Sequence, residues 1–161
     1  MSIKVGDPLP DATFTVMTPD GPAPVTTSEI FKGRKVVLFA VPGAFTPTCS
    51  MNHLPGFIEH AAEFKSKGID EIVVVAVNDV FVMDAWSKHS GAGGKIKFLA
   101  DGSGAFAKAL GLTLDLTDRG LGIRSQRYSM LVDNGIVKRL NIEDSVGKAE
   151  TSGADTLLKQ I

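Results

Sequence analysis

The sequence predicts an α/β fold: a central mixed sheet flanked by helices, with extra strands added at the N-terminal end. Three observations carry that expectation. Two uninterrupted apolar runs, Val36–Val41 and Ile72–Val77, stand on either side of a segment with helical periodicity. Runs that apolar suit parallel strands buried on both faces. Near the C-terminus, Asp133-Asn134-Gly135 separates two further apolar stretches, the strongest short-range sign of a β-hairpin.

The elements follow in order. Up to Thr27, the residues Pro8, Pro10, Asp20-Gly21, Pro22 and Pro24 surround Phe14, Val16 and Val25, which predicts short edge strands and turns. Thr27 to Gly33 offers a cap, one or two helical turns and a closing glycine. After the first apolar strand, Met51, Leu54, Ile58 and Ala61 or Ala62 recur at helical spacing, with Pro47 suited to the first helical position. Pro55 lies inside that pattern and is expected to kink the helix, because it lacks a backbone donor and crowds the preceding turn. Strand, helix and strand then make one crossover unit.

Asn78-Asp79 caps a helix bearing Phe81, Val82, Ala85 and Trp86, which ends near Gly91-Ala92-Gly93-Gly94. Ile96–Ala100 reads as a third strand, Gly104–Leu110 as a short helix, and Gly111–Ser125 as a polar connection. The hairpin strands are Tyr128–Val132 and Ile136–Leu140, and a last helix runs from about Gly153 to Ile161. Together these give a thioredoxin-like β-α-β plus β-β-α core. At 161 residues the chain is expected to form one domain, residues 1–161.

Composition narrows the function. A net charge of −1 without a long basic run gives nucleic acid or an anionic membrane little to hold. No apolar stretch is long enough to span a bilayer, and no signal-peptide core opens the chain, so a cytoplasmic location is expected. A single cysteine forms neither an internal disulfide nor a multi-cysteine metal site, so redox chemistry here needs a partner from outside the chain.

That cysteine, Cys49, ends the stretch Pro42-Gly43-Ala44-Phe45-Thr46-Pro47-Thr48-Cys49 between the first buried strand and the following helix. Backbone N–H groups of a first helical turn favour a thiolate there, and a nearby cation adds to this. Arg127, at the start of the hairpin, is the best candidate. Thr46 is placed to aim its hydroxyl at the sulfur or a bound oxygen, and Pro42 to shield the thiolate from water. Each residue also has a plainer reading: Cys49 as inert packing, Thr46 as an N-cap, Pro42 as a strand terminator, Arg127 as a surface charge. His53 is conceivable as a general base, with packing or local capping the plainer role. Trp86 and Phe81 read as core or dimer-interface residues. Gly91–Gly94 lacks the ending of a phosphate loop.

The Pro42–Cys49 stretch, with Ser50, His53-Leu54-Pro55-Gly56 and Phe57, resembles the active-site segment of peroxiredoxins of the peroxiredoxin-5, or type II, kind. The resemblance continues through Val77–Met83 and Trp86, Leu99-Ala100-Asp101, Gly104-Ala105-Phe106, Arg127–Met130 and Asp133–Val137. It implies a thiol peroxidase in which Cys49 attacks hydrogen peroxide or an alkyl hydroperoxide and becomes a sulfenic acid. Arg127, the Thr46 hydroxyl and the backbone N–H groups of Gly43 and Cys49 would stabilise the leaving oxygen. Gly43 and Phe45 would bind substrate, and Phe45, Leu112, Leu121 and Ile123 would form an apolar rim. The resemblance implies neither metal nor prosthetic cofactor. It also implies a homodimer, with Phe45, Phe81 and Trp86 as candidates for the interface, and unwinding of the cysteine-bearing turn after oxidation, bounded by Pro55 and Gly56.

Some relatives carry a second, resolving cysteine where this chain has Val74 or Thr151-Ser152. This one-cysteine form therefore needs an external thiol: glutathione with glutaredoxin first, thioredoxin second. A redox sensor or relay that passes oxidation from Cys49 to a partner protein uses the same thiolate and stands as the alternative.

Overall fold

The computed structural model describes residues 2–145 and 147–161. Its centre is a seven-stranded sheet in the order β2-β1-β5-β4-β3-β8-β9. The strands are β1 Thr13–Thr18, β2 Gly21–Thr26, β3 Lys35–Val41, β4 Glu71–Ala76, β5 Lys97–Ala100, β8 Tyr128–Asp133 and β9 Ile136–Ile142. β3 pairs with β4 in parallel and with β8 antiparallel, so the sheet is mixed, and β3 is covered on both sides along its length. Its two faces are each buried in an apolar layer, which explains its uninterrupted apolar sequence.

Alternation along β3 divides the core in two. Val37, Phe39 and Val41 join one apolar cluster with Leu54, Phe57, Phe64, Trp86 and Leu157. Val36, Leu38 and Ala40 join the other with Phe14, Ile30, Phe31, Phe106 and Tyr128. Helices α2 Leu54–Glu59, α3 Ala61–Ser66, α4 Val80–Ser90 and α6 Ala154–Gln160 contribute to the first layer. Helices α1 Thr27–Phe31 and α5 Ala105–Leu110 contribute to the second.

Local chemistry sets the ends of these elements. Thr26, one residue before the expected cap, closes a capping box with Glu29. Asp79 caps α4 by accepting from the Val82 N–H, and Gly91 ends it in the left-handed region. Asn134 and Gly135 both have positive φ, 50° and 79°, as the tight turn between β8 and β9 demands.

Two expectations need correction. The connection from Gly111 to Ser125 is not all loop: β6 Thr113–Leu116 and β7 Gly122–Ser125 form a small antiparallel sheet of their own. Trp86 is fully buried, with its ring edge-on to Phe98, and has no surface to offer a dimer interface.

The helix after β3 is broken more thoroughly than one proline kink. Pro47 is its first helical residue, as its sequence position suggests. The chain then widens into a π-turn over Cys49–His53, in which the Leu54 N–H reaches back to the Cys49 carbonyl. Pro55 enters at the start of α2, where its missing N–H costs little. A second break at His60 separates α2 from α3. Cys49 and His53, at the two ends of this π-turn, are its buried residues. No helix among the described residues is long and apolar enough to cross a membrane.

Candidate active site

Strand register builds the site. Ala40 of β3 lies opposite Tyr128 of β8, so Arg127, one residue earlier, comes level with the end of β3 where the Pro42 turn begins. Tyr128 points into the second core layer, so its neighbour Arg127 points into the first, toward the π-turn. Arg127 is 3% exposed, and it is not the surface charge that its type suggests.

Its Nη2 donates to the Cys49 sulfur at 3.0 Å, and Cys49 itself is fully buried. A guanidinium at that distance is placed to hold negative charge on sulfur. Arg127 Nη1 lies 3.1 Å from His53 Nδ1, while His53 Nε2 lies 2.9 Å from the Ser152 carbonyl. Guanidinium only donates and a carbonyl only accepts, so His53 carries its proton on Nε2 and presents a bare Nδ1. Burial between Phe39 and Phe57, with the Arg127 charge as a smaller contribution, drives the His53 pKa down to about 3, against a raising effect of the Ser152 bond. A base in that setting has its free lone pair already taken by Arg127, so His53 does not accept a proton from Cys49.

This burial has a pH signature. Between about pH 6.5 and pH 3 the unfolded chain takes up a proton at His53 that the folded chain refuses. The contribution to stability is whole above pH 6.5 and shrinks as pH falls toward 3. By pH 4.5 the loss from this residue should reach about 3 kcal/mol relative to pH 7.5, at 1.36 kcal/mol per unit. Urea unfolding at the two pH values should show a His53→Phe variant losing less stability by roughly that amount. An identical pH dependence in both proteins would contradict it.

Thr46 and Pro42 line, with Arg127, a cavity of about 240 Å³ whose other walls are Pro47, Thr48, Leu116, Arg119, Leu121 and Gly147. The Thr46 hydroxyl donates to the Gly43 carbonyl at 2.7 Å. With its proton engaged there, Oγ1 has lone pairs left with which to accept.

Gly43 is hemmed in: a Cβ there would meet Arg124 Nη1 at 2.9 Å and Thr46 Cγ2 at 3.1 Å. Arg124 donates to the Leu121 carbonyl at 2.8 Å and the Pro42 carbonyl at 3.3 Å, so β7 props the Pro42 turn. Phe45 is not among the residues lining the cavity. It adopts a positive φ of 64° and tilts against His89 of α4, with ring centroids 5.6 Å apart. Of the expected rim, Leu121 lines the cavity, Leu112 is buried in the second core layer, and Ile123 is exposed outside it.

Sequence reasoning missed Arg124, Leu116 and the His53–Arg127 bond. Arg124 sits in the segment read as a loop, so no strand period marked it. Behind Cys49, Trp86 Nε1 donates to Ser50 Oγ at 3.0 Å, fastening the π-turn to α4.

A mixed sheet of this topology, with one buried thiol meeting an arginine at a strand-to-helix turn, has the architecture of a thioredoxin-like protein with a single sulfur at that turn. Comparisons with known proteins agree. Residues 4–158 match the Redoxin family model. The chain is 52% identical to peroxiredoxin-2C of Arabidopsis thaliana over 160 residues, covering 99% of this chain and 98% of that protein. It superposes on reduced Prx3 of Vibrio vulnificus in complex with hydrogen peroxide with a TM-score of 0.93, at 50% identity and 98% coverage of each chain. Peroxiredoxin 5 of Alvinella pompejana gives a TM-score of 0.85 at 37% identity, covering 98% of this chain and 96% of that one.

The chain belongs to the redoxin family and, within it, is a peroxiredoxin of the peroxiredoxin-5, type II, kind, in a form with one cysteine. It is thus a thiol peroxidase, a class that works without a prosthetic group.

Proposed function

We propose that this peroxiredoxin reduces hydrogen peroxide and alkyl hydroperoxides through Cys49, and that glutathione with glutaredoxin restores the thiol. The observation that carries the reading is the 3.0 Å contact between Arg127 Nη2 and the Cys49 sulfur, beside a cavity that Thr46 and Pro42 also line. The thiolate attacks one peroxide oxygen, the S–O bond forms as the O–O bond breaks, and the departing oxygen leaves as water or alcohol after taking a proton. Arg127 carries the charge that moves from sulfur to the leaving oxygen. Thr46 Oγ1, its own proton given to Gly43, accepts the hydrogen bond of the peroxide O–H. Pro42 excludes water from the sulfur, and the backbone at Gly43 sets the path of the turn. Pro47, Leu116 and Leu121 give the cavity an apolar wall suited to an alkyl tail.

The cysteine sulfenic acid then reacts with glutathione, releasing water and leaving a mixed disulfide. A glutaredoxin thiolate then attacks the glutathione sulfur of that mixed disulfide and expels the Cys49 thiolate, and a second glutathione reduces the glutathionylated glutaredoxin, leaving as oxidised glutathione. Cys49 is fully buried, so a reductant of that size reaches the sulfur after the π-turn opens. The whole chain acts as one domain, in a reducing compartment that we take to be the cytoplasm. Phe45 and Phe81, 46% and 65% exposed, offer apolar surface for a second copy in a homodimer.

Steady-state peroxide consumption with each thiol system in turn tests the choice of reductant. Glutathione with glutaredoxin should sustain turnover at least about tenfold faster than thioredoxin with its reductase, the margin that separates a preferred thiol partner by about 1.4 kcal/mol. Faster turnover with thioredoxin would overturn that choice and leave the peroxidase reaction standing.

A further inference from the structure

We propose that His53 is a positioning residue for Arg127, a neutral strut that holds the guanidinium against Cys49 and is anchored on Glu143. The inference rests on the proposed role of Arg127. It assigns to a second residue the task of aiming that arginine.

A closed ring of hydrogen bonds supports it. Arg127 Nη1 meets His53 Nδ1 at 3.1 Å, and His53 Nε2 meets the Ser152 carbonyl at 2.9 Å. Ser152 donates to Glu143 Oε2 from both its N–H, at 2.8 Å, and its hydroxyl, at 2.6 Å. The Thr151 N–H reaches Glu143 Oε1 at 3.2 Å. The Glu143 N–H donates to the backbone carbonyl of Arg127 at 2.9 Å, which returns the ring to its starting residue. Arg127 is thus held at its main chain by Glu143 and at its fork by His53.

The guanidinium is planar, so fixing Nη1 fixes where Nη2 points. His53 does this only with Nδ1 bare, and two features keep it so. The Ser152 carbonyl claims the proton for Nε2, and burial prevents a second proton from binding at any working pH. Glu143 keeps its charge for a related reason. Burial raises its pKa, but the bonds from Ser152, Thr151 and Glu150 outweigh that and lower it. Phenylalanine would fill the space between Phe39 and Phe57 as well as histidine does, so packing alone does not call for an imidazole. What it would remove is the acceptor for a buried N–H.

The test compares His53→Phe with His53→Asn in single-turnover reaction with hydrogen peroxide, alongside thermal unfolding of each. Phenylalanine preserves the apolar packing and removes the acceptor. Asparagine leaves a gap in that packing but puts Oδ1 near the place of Nδ1. If His53 aims Arg127, the phenylalanine variant should react about tenfold more slowly than wild type, as expected for losing one hydrogen bond of a charged group, and asparagine should recover the rate to within about threefold. The order of rates should then oppose the order of stabilities. Nitrogen-15 spectra of the reduced wild type should show His53 with a bare Nδ1 and a protonated Nε2. At the half-exposed end of the ring, Glu143→Gln leaves the core intact and should slow the reaction by about twofold to fivefold. A phenylalanine variant as fast as wild type, or faster than the asparagine variant, would overturn the proposal. So would a protonated Nδ1, or a Glu143→Gln protein with unchanged rate. An Arg127→Gln protein that keeps its rate would instead remove the reading of Arg127 on which the inference rests.

Discussion

Cys49→Ser is expected to consume no peroxide above the uncatalysed rate with any thiol reductant. The reason is elementary. A thiolate is available near neutral pH and is polarisable enough to displace an oxygen from oxygen, whereas a serine hydroxyl keeps its proton and has no oxidised form to be recycled. The chain holds no other cysteine to take over. Serine is close to cysteine in size, so the variant should fold, and circular dichroism separates lost chemistry from lost structure. Stopped-flow peroxide consumption is the measurement, and activity that survives the substitution would place the chemistry elsewhere.

Arg127→Gln is expected to lower the second-order rate constant with hydrogen peroxide by about 10²–10³, the cost of removing one preorganised charged donor from a developing anion. Glutamine retains much of the length and an amide NH2 donor but not the charge. Arg127→Lys should fall between the two. A lysine keeps the charge but presents it as a point, and it does not hold the planar fork that spans the Cys49 sulfur and His53 Nδ1 together. A glutamine variant within threefold of wild type would show that the arginine packs the site without taking part in it.

These expectations differ in how far the sequence alone supports them. The apolar runs of β3 and β4 announced a buried parallel pair because a strand covered on both faces has no polar side to alternate with. Asn134-Gly135 announced its hairpin because few other residue pairs accept two consecutive positive φ angles. The β6–β7 pair stayed hidden. Each strand has four residues: Thr113-Leu114-Asp115-Leu116 alternates too briefly to stand out, and Gly122-Ile123-Arg124-Ser125 carries a single large apolar residue.

The site was legible in part for the same kind of reason. Cys49, Thr46 and Pro42 are neighbours in the chain, so a local motif carries them. Arg127 is 78 residues away from Cys49 and came into view through its place at the start of a hairpin strand expected to lie beside the one that feeds the turn. His53 was in view, but its role depends on a π-turn that no periodicity encodes and on an arginine from another strand. The direction of the Thr46 proton, and the turning of Phe45 toward His89, are set by backbone geometry that residue types do not specify.

The central claim is that one sulfur receives one oxygen. Reduced protein treated with one equivalent of hydrogen peroxide in the presence of dimedone, then digested and weighed by mass spectrometry, tests it directly. The account predicts peroxide consumed in step with a single dimedone adduct on the Cys49 peptide. Peroxide consumed with Cys49 left as free thiol, or no peroxide consumed at all, would contradict it.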